Sequence, residues 1–292
     1  VMEMYAAYKD YNWMMDTTEK LLETIATELH GTTEIVLGDK TINFKAPYKR
    51  IGILDAIKEH TGHDLYQKSE AEVREACKKL GIAVDETMGI GKMIDEIFGA
   101  TCEHHFEQPT FIIDYPVEMS PLTKKHRSKP GLTERFELLV NGKELANAYS
   151  ELNDPIDQRE RFEEQLKLSE KGDDEAMFID HDFLRALEFG MPPTSGIGIG
   201  IDRLTMFMTN SPSIQDVLFF PQMRPEKKQV EMTEEEKTVH GILKQGSPMP
   251  LADLKEKAGM SNKQWDKTIK GLTAKSVAKV FKENDVLLVE AL

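Results

Sequence analysis

The most constraining feature of this chain is a hairpin spelled out residue by residue. Arg135 to Val140 and Lys143 to Glu151 are strand-forming runs joined by Asn141-Gly142, the pair that most readily takes the left-handed backbone of a two-residue turn. Such a turn sets Val140 opposite Lys143, Leu139 opposite Glu144, and Glu137 opposite Ala146. Glu137 and Glu144 then share a face as diagonal neighbours, on the order of 7 Å apart at Cα. Two carboxylates that close repel unless a cation sits between them. Oxygen ligands on rigid strands suit Mg²⁺ carrying a phosphate chain; a solvated sheet face with Lys143 as counter-ion accounts for the same residues without a metal. Further along, Asn147, Tyr149 and Glu151 share a face at period two, but strict alternation points them away from Glu144. One pocket can use both sets only if a bulge intervenes near Leu145 and Ala146.

A second strand adds to the constraint. Gly196-Ile-Gly-Ile-Gly-Ile-Asp202-Arg203 places glycine at every second position. Gly196, Gly198 and Gly200 thus strip one face of side chains, leaving a floor on which a purine ring can lie. Arg203 follows at the junction with the apolar helix Leu204 to Thr209, placed for a phosphate oxygen. The spacing is neither G-x-G-x-x-G nor a Walker A loop, and close helix–strand packing selects the same glycines. At the N-terminus, Val1, Glu3, Tyr5 and Ala7 alternate with Met2, Met4, Ala6 and Tyr8, a strand pattern that begins without a lead-in and suggests a fragment. Glu3 and Tyr5 share a face, so acids from two strands can converge on a cation.

Between these strands, Asn12 to His30 reads as an amphipathic helix stopped by Gly31, and Ile35 to Phe44 as a hairpin around Gly38-Asp39. About Ile51 to Phe98 reads as a helical insertion, with a capping box at Ser69–Glu72 and Gly81, Gly89 and Gly91 as punctuation. Thr110 to Pro116 is a strand, followed by a basic loop holding Lys124, Lys125, His126, Arg127 and Lys129. Helices are expected over Pro155 to Lys171 and Asp180 to Phe189. His104 and His105 are neighbours whose rings should diverge on regular structure, and no third ligand has suitable spacing.

Charge divides the chain in two. The 292 residues carry 37 Lys+Arg and 51 Asp+Glu, a net −14. From Glu226 onward there are 12 Lys and 11 acids, which leaves the first 225 residues at −15. So acidic a body disfavours coating nucleic acid and suits a cationic or Mg²⁺-bound ligand, though an evenly solvated acidic surface has the same composition. No run approaches the ~18 apolar residues of a membrane span, Val1 to Met4 lacks the features of a signal peptide, and Cys77 and Cys102 do not make a disulfide framework. A cytoplasmic location is expected. The tail from Met232 has three helical patterns, then a hairpin at Val277 to Glu290, the order of a winged helix. Lys263, Lys267, Lys270, Lys275, Lys279 and Lys282 on or after its third helix make either a phosphate-binding face or a solvated one.

Taken together these motifs resemble the class II lysyl-tRNA synthetases. The run RFELLVNGKELANAYSELNDPIDQRERF from Arg135 is similar to that family's active-site hairpin. The stretch from Gly172 through SGIGIGIDRLTMF to Pro225 is similar to its motif 3, and VMEMYAAYKDY to the second strand of its motif 2. The resemblance covers about residues 1 to 225. It implies an α+β fold: an antiparallel sheet flanked by helices, here with the helical insertion and a winged-helix-like domain at 226–292. It implies ATP, L-lysine and tRNA as partners and Mg²⁺ as cofactor. Glu137 and Glu144 would hold the metal on ATP. Arg203 would bind the γ-phosphate, with Gly198 and Gly200 beneath adenine and ribose. Glu3, Tyr5, Asn147, Tyr149 and Glu151 would line the lysine pocket, and Glu144 and Arg203 would act in catalysis. The family's motif 1, its motif 2 arginine and its anticodon-binding domain lie upstream of Val1 in this comparison. Hence a homodimer is expected for the full-length parent, and little or no aminoacylation for this chain alone.

Three functions fit the sequence. One is lysine–tRNA ligase, one a synthetase-like paralogue that lysylates a protein, and one a non-catalytic nucleic-acid-binding module led by the tail. The SELND run and the insertion favour the first, and the acidic body opposes the last.

Overall fold

The structure, a computed structural model, describes residues 1–170, 179–221, 232–283 and 286–291. The chain forms two compact units, Val1–Pro221 and Gln222–Leu292. The expected boundary near residue 225, the start of the motif 3 stretch at Gly172 and the tip of the last hairpin lie outside the described residues.

The first unit begins β1 (Met2–Ala7), α1 (Tyr11–His30), β2 (Glu34–Leu37), β3 (Lys40–Asn43) and β4 (Lys49–Gly52). Then come α2 (Ile53–Thr61), α3 (Glu70–Lys79), α4 (Ile90–Thr101), β5 (Thr110–Ile113), β6 (Arg135–Val140) and β7 (Lys143–Ser150). It closes with α5 (Pro155–Glu170), α6 (His181–Glu188), β8 (Thr194–Ile199) and α7 (Ile201–Thr209). Local chemistry explains the clearest boundaries. The Asp10 carboxylate accepts the Asn12 and Trp13 N–H groups at the start of α1, and Gly31 ends it at φ 70°, where a side chain would be strained. Ser69 and Glu72 form the capping box of α3. Asn141 and Gly142 take φ 51° and 65°, the twist that a two-residue turn needs.

Six strands form one sheet in the order β1-β8-β7-β6-β5-β4. It is antiparallel, as expected, except at its end, where β4 and β5 run parallel. The helices α2 to α4 are therefore the crossover between two paired strands, as parallel neighbours require. Ile51 and Gly52 belong to β4, and Gly91 lies inside α4, where a Cβ would come within 3.1 Å of the Glu118 carbonyl carbon.

This topology gives the sheet two unlike faces. On the back, α1, the β2–β3 hairpin and α7 bury Phe136, Leu138, Val140, Ala148, Ile197 and Ile199 in one core. On the front, α2 to α4 pack over the β5–β6 end around Ile112, Tyr115 and Leu139. The rest of the front face, across β6, β7, β8 and β1, is the floor that carries the polar motifs.

The basic loop is spent on holding this frame. Arg127 pairs with Asp10 at 2.8 Å and the buried Glu134 at 2.5 Å. Lys129 pairs with the buried Asp114 at 2.5 Å, and Lys125 with Asp157 at 3.0 Å. His104 and His105 do not diverge: a tight turn at Glu103–His105 brings their rings to 4.0 Å, and His60 stacks on His105 at 4.4 Å.

The second unit runs α8 (Glu234–Gln245), β9 (Met249–Pro250), α9 (Leu251–Ala258), α10 (Asn262–Ala274), β10 (Ala278–Glu283) and β11 (Val286–Ala291). A three-stranded sheet in the order β10-β11-β9 closes it. Helix, strand, two helices and a hairpin are the order of a winged helix, built around Val239, Leu243, Leu254, Trp265, Leu272 and Val289. Lys275 is taken up inside it by the buried Glu236 at 2.6 Å, whereas Lys263, Lys267 and Lys270 stay exposed on α10.

The register of β6 on β7 changes by one residue: Leu139 faces Glu144, but Leu138 faces Ala146 and Glu137 faces Asn147, not Ala146 as strict alternation predicts. The extra residue is Leu145, only 2% exposed. Replacing Leu145 by alanine should cost about 2–5 kcal/mol in urea unfolding. Inserting a further alanine after Leu145 should cost more, because a one-residue slip turns every later side chain of β7 to the wrong face. An insertion no worse than the alanine variant would show that the register at the bulge is not what sets the faces.

Candidate active site on the front of the sheet

The bulge meets the condition that the sequence imposes on a shared pocket. Leu145 and Ala146 both enter the back core, so Glu144 before them and Asn147 after them both reach the front. Cross-strand pairing then lines up two rows over four strands. One row is Glu137, Asn147, Gly198 and Glu3; the next is Arg135, Tyr149, Gly196 and Tyr5. Glu151 continues the second group just past β7, its N–H donating to the Thr194 carbonyl at 2.8 Å.

Around Gly196 the floor is covered by acids. A Cβ on Gly196 would lie 2.1 Å from Glu151 Oε1 and 2.7 Å from Tyr5 Cε1, so only glycine leaves room for that carboxylate and ring. Tyr5 donates its hydroxyl to Glu3 at 3.3 Å. Burial pushes the Glu151 carboxyl up to about 7. Burial, then Glu151 and Tyr5, raise the Tyr149 hydroxyl to about 12 against the opposing Arg135, and burial with Glu3 and Glu151 raises Tyr5. In each case loss of solvation is the leading reason that the charged form is disfavoured.

Around Glu137 and Glu144 the chemistry differs. Burial raises the Glu137 carboxyl, Arg135 opposes that rise, and Glu144 adds to it. Glu103 is raised by burial and by Asp95 and Glu144, so acids from the turn after α4 also face this corner. The Arg203 guanidinium donates to the Glu144 backbone carbonyl and lies 3.9 Å from its carboxylate. The strand ends at Ile199, earlier than the glycine pattern predicts, and Gly200 starts α7. Its N–H donates to the Leu145 carbonyl at 2.9 Å, which ties the bulge to the helix carrying Arg203. Asn147, Gly198, Gly200, Arg203 and Glu144 line a cleft of about 370 Å³.

All the site residues expected from sequence thus reach one face, in two clusters. Sequence reasoning passed over Arg135, which lies at the junction of the two. It also placed Gly196 with the purine floor, whereas that glycine belongs under the acids. The signal for Arg135 was its spacing of two from Glu137, the same period that identified the other strand residues.

The family model for tRNA synthetases class II (D, K and N) matches residues 1–224. The chain belongs to this family. Among curated relatives, the lysine–tRNA ligase of Christiangramia forsetii is 66% identical over 286 residues, 98% of this chain and 50% of its own length. That of Porphyromonas gingivalis is 65% identical over 248 residues, 85% of this chain and 43% of its own. A third, from Azobacteroides pseudotrichonymphae, is 65% identical over 227 residues, 78% and 45% of the two chains. The chain thus spans about half the length of the relatives it matches. The second unit lies beyond the family match but largely within the Christiangramia alignment, so it is shared by at least one synthetase.

The Glu151 carboxyl gives this synthetase domain a pH signature. Folding raises the group from 4.5 to about 7, so the folded form binds its proton more tightly than the unfolded chain does. That stabilisation is fully present below the unfolded value and is lost as pH rises through the folded one. Between about pH 5 and about pH 8, the unfolding midpoint of the ligand-free protein should therefore fall more steeply than that of Glu151→Gln. Parallel curves for the two proteins would refute the assignment.

Proposed function

We propose that the protein containing this chain is a lysine–tRNA ligase, which joins lysine to ATP as lysyl-adenylate and then passes the lysyl group to tRNA. The observation that carries this reading is the cluster of Tyr5 and Glu151 over Gly196, with Glu3 bonded to Tyr5 in the neighbouring row that also holds Glu137. An ε-ammonium supplies a counter-charge to these groups, and the lysine carboxylate then points along the floor toward the second cluster. The relatives that are lysine–tRNA ligases agree with it.

In this reading Glu137 and Glu144 hold Mg²⁺ on the phosphate chain. The residues fit it: Glu144 adds to the cost of ionising the buried Glu137, a cost that a divalent cation held by oxygen ligands would offset. Bound there, the metal neutralises phosphate charge. Arg203 contributes a second positive charge at the terminal phosphate, next to Glu144. Gly198 and Gly200 leave the backbone bare for the base. A carboxylate oxygen of lysine forms the new bond to the α-phosphorus, and the bond to the pyrophosphate oxygen breaks. No enzyme nucleophile is needed, so catalysis consists of positioning and charge neutralisation. A tRNA hydroxyl later attacks the lysyl carbonyl, and AMP leaves. A homodimeric full-length protein working in the cytoplasm belongs to the same proposal, as does tRNA contact by the exposed lysines of α10.

Calorimetric titration with lysine, and with arginine in its place, tests the pocket directly. Wild type should bind lysine and not arginine, and Glu151→Gln should abolish binding. Gly196→Ala, whose methyl group displaces Glu151 and Tyr5, should weaken binding at least about tenfold while leaving the back core intact. Since the ammonium requires an ionised Glu151, affinity should fall as pH drops below about 7, approaching tenfold per unit. Equal affinity for lysine in wild type and Glu151→Gln would sink the proposal.

A further inference from the structure

Arg135 touches both halves of the floor. Its Nε donates to Asn147 Oδ1 at 3.2 Å and its Nη2 to Glu137 Oε1 at 2.6 Å. Its Nη1 donates to the Met119 carbonyl at 2.8 Å and to Ser120 Oγ at 3.0 Å. The guanidinium lies over the Tyr115 ring, 4.5 Å from the centroid, and the side chain is 15% exposed. Each of its three nitrogens is thus engaged, and its plane lies against a fully buried aromatic ring.

The amide of Asn147 has one orientation that satisfies these neighbours. Arginine can only donate, so Oδ1 must face Nε; an ionised carboxylate can only accept, so Nδ2 must face Glu137, as it does at 3.4 Å. One N–H of that amide then remains for an oxygen in the cleft that Asn147 lines with Gly198 and Gly200. Without Arg135 only the long contact to Glu137 holds that orientation, and Glu137 itself loses its anchor, so the amide can swing away and its N–H is no longer aimed into the cleft.

We propose that Arg135 is a positioning residue, which locks Asn147 with its N–H₂ toward substrate oxygen and fixes Glu137 in place, so that one guanidinium sets the amino-acid and phosphate half-sites together. This rests on the lysine-activation reading above. The group is anchored to the turn at Val117–Met119, a segment outside the active-site strands, so that turn becomes part of the site's alignment. Lysine in its place keeps a positive charge near Glu137 but has one ammonium for four acceptors, and no donor corresponding to Nε.

The test is a double-mutant cycle on lysine binding, read by calorimetry without ATP or metal. Wild type, Arg135→Gln, Arg135→Lys, Asn147→Ala and the Arg135→Gln/Asn147→Ala double variant are compared. Both Arg135 variants should weaken lysine binding by about tenfold to a hundredfold. On the Asn147→Ala background, Arg135→Gln should change it by no more than about twofold, because its effect runs through that amide. In lysine-dependent ATP–pyrophosphate exchange with the full-length protein, KM for lysine should rise more than KM for ATP. Arg135→Lys should keep the half-saturating Mg²⁺ concentration near that of wild type, and Arg135→Gln should raise it. If wild type binds lysine and Arg135→Gln binds it within about twofold, or the two single effects multiply in the double variant, the inference is overturned. A wild type that binds no lysine overturns the ligase reading itself, and the inference with it. Should Arg135→Gln fail to fold, the same cycle built on Arg135→Lys decides the matter.

Discussion

One bulge in a strand decides what the front of this sheet can do. Without it, Glu144 and Asn147, three positions apart, would emerge on opposite faces, since side chains alternate strictly along a strand. With it, two back-facing residues occupy consecutive positions, and the metal-type acid and the amide share one surface. The bulge would be costly if its carbonyl were left unpaired. Instead Gly200 donates to that carbonyl, and the same contact fixes the start of α7, from which Arg203 reaches back to Glu144. Register, glycine position and arginine placement are consequences of a single local irregularity.

The floor is also an electrostatic compromise. Natural cores bury charge only where it is paired, yet here Glu151 is half-buried and burial alone raises its carboxyl. The neighbouring cluster is treated differently, with Glu137 balanced by the internal cation Arg135. One half of the candidate site supplies its own counter-charge, and in the proposed reading the other leaves that charge to its ligand. Such a division raises the free energy of the empty pocket and is repaid on binding, which is how a pocket gains selectivity for a cationic side chain over a neutral one of like size.

Local chemistry was the legible part of this fold. The Asn141-Gly142 turn, the Ser69–Glu72 and Thr233–Glu236 capping boxes and the stop at Gly31 are written in neighbouring residues. The candidate site was legible for the same reason, because period-two spacing places residues on a face and the resemblance to a family supplies their roles. What escaped was non-local. β4 is four residues long, and its partner lies beyond three helices, so no pattern within it announces a parallel pairing. The charges of the basic loop looked available until the fold brought Asp10, Glu134 and Asp157 to them. Arg135 was hidden differently: a cation two places from an acid reads as an ordinary surface pair until the stacking ring and the turn carbonyl are in place.

The parallel pairing at the sheet's end bears on how the molecule assembles. β6 and β7 can zip together from their turn, a contact between near neighbours that forms early. The β4–β5 ladder must wait until α2, α3 and α4 have collapsed between them, and closure of so long a loop is slow. The turn at Val117–Met119 and the α4 wall beside Glu103 depend on that closure. The candidate active face is therefore completed in two stages, with its floor laid by a local hairpin and one of its walls raised only when the distant strands have met.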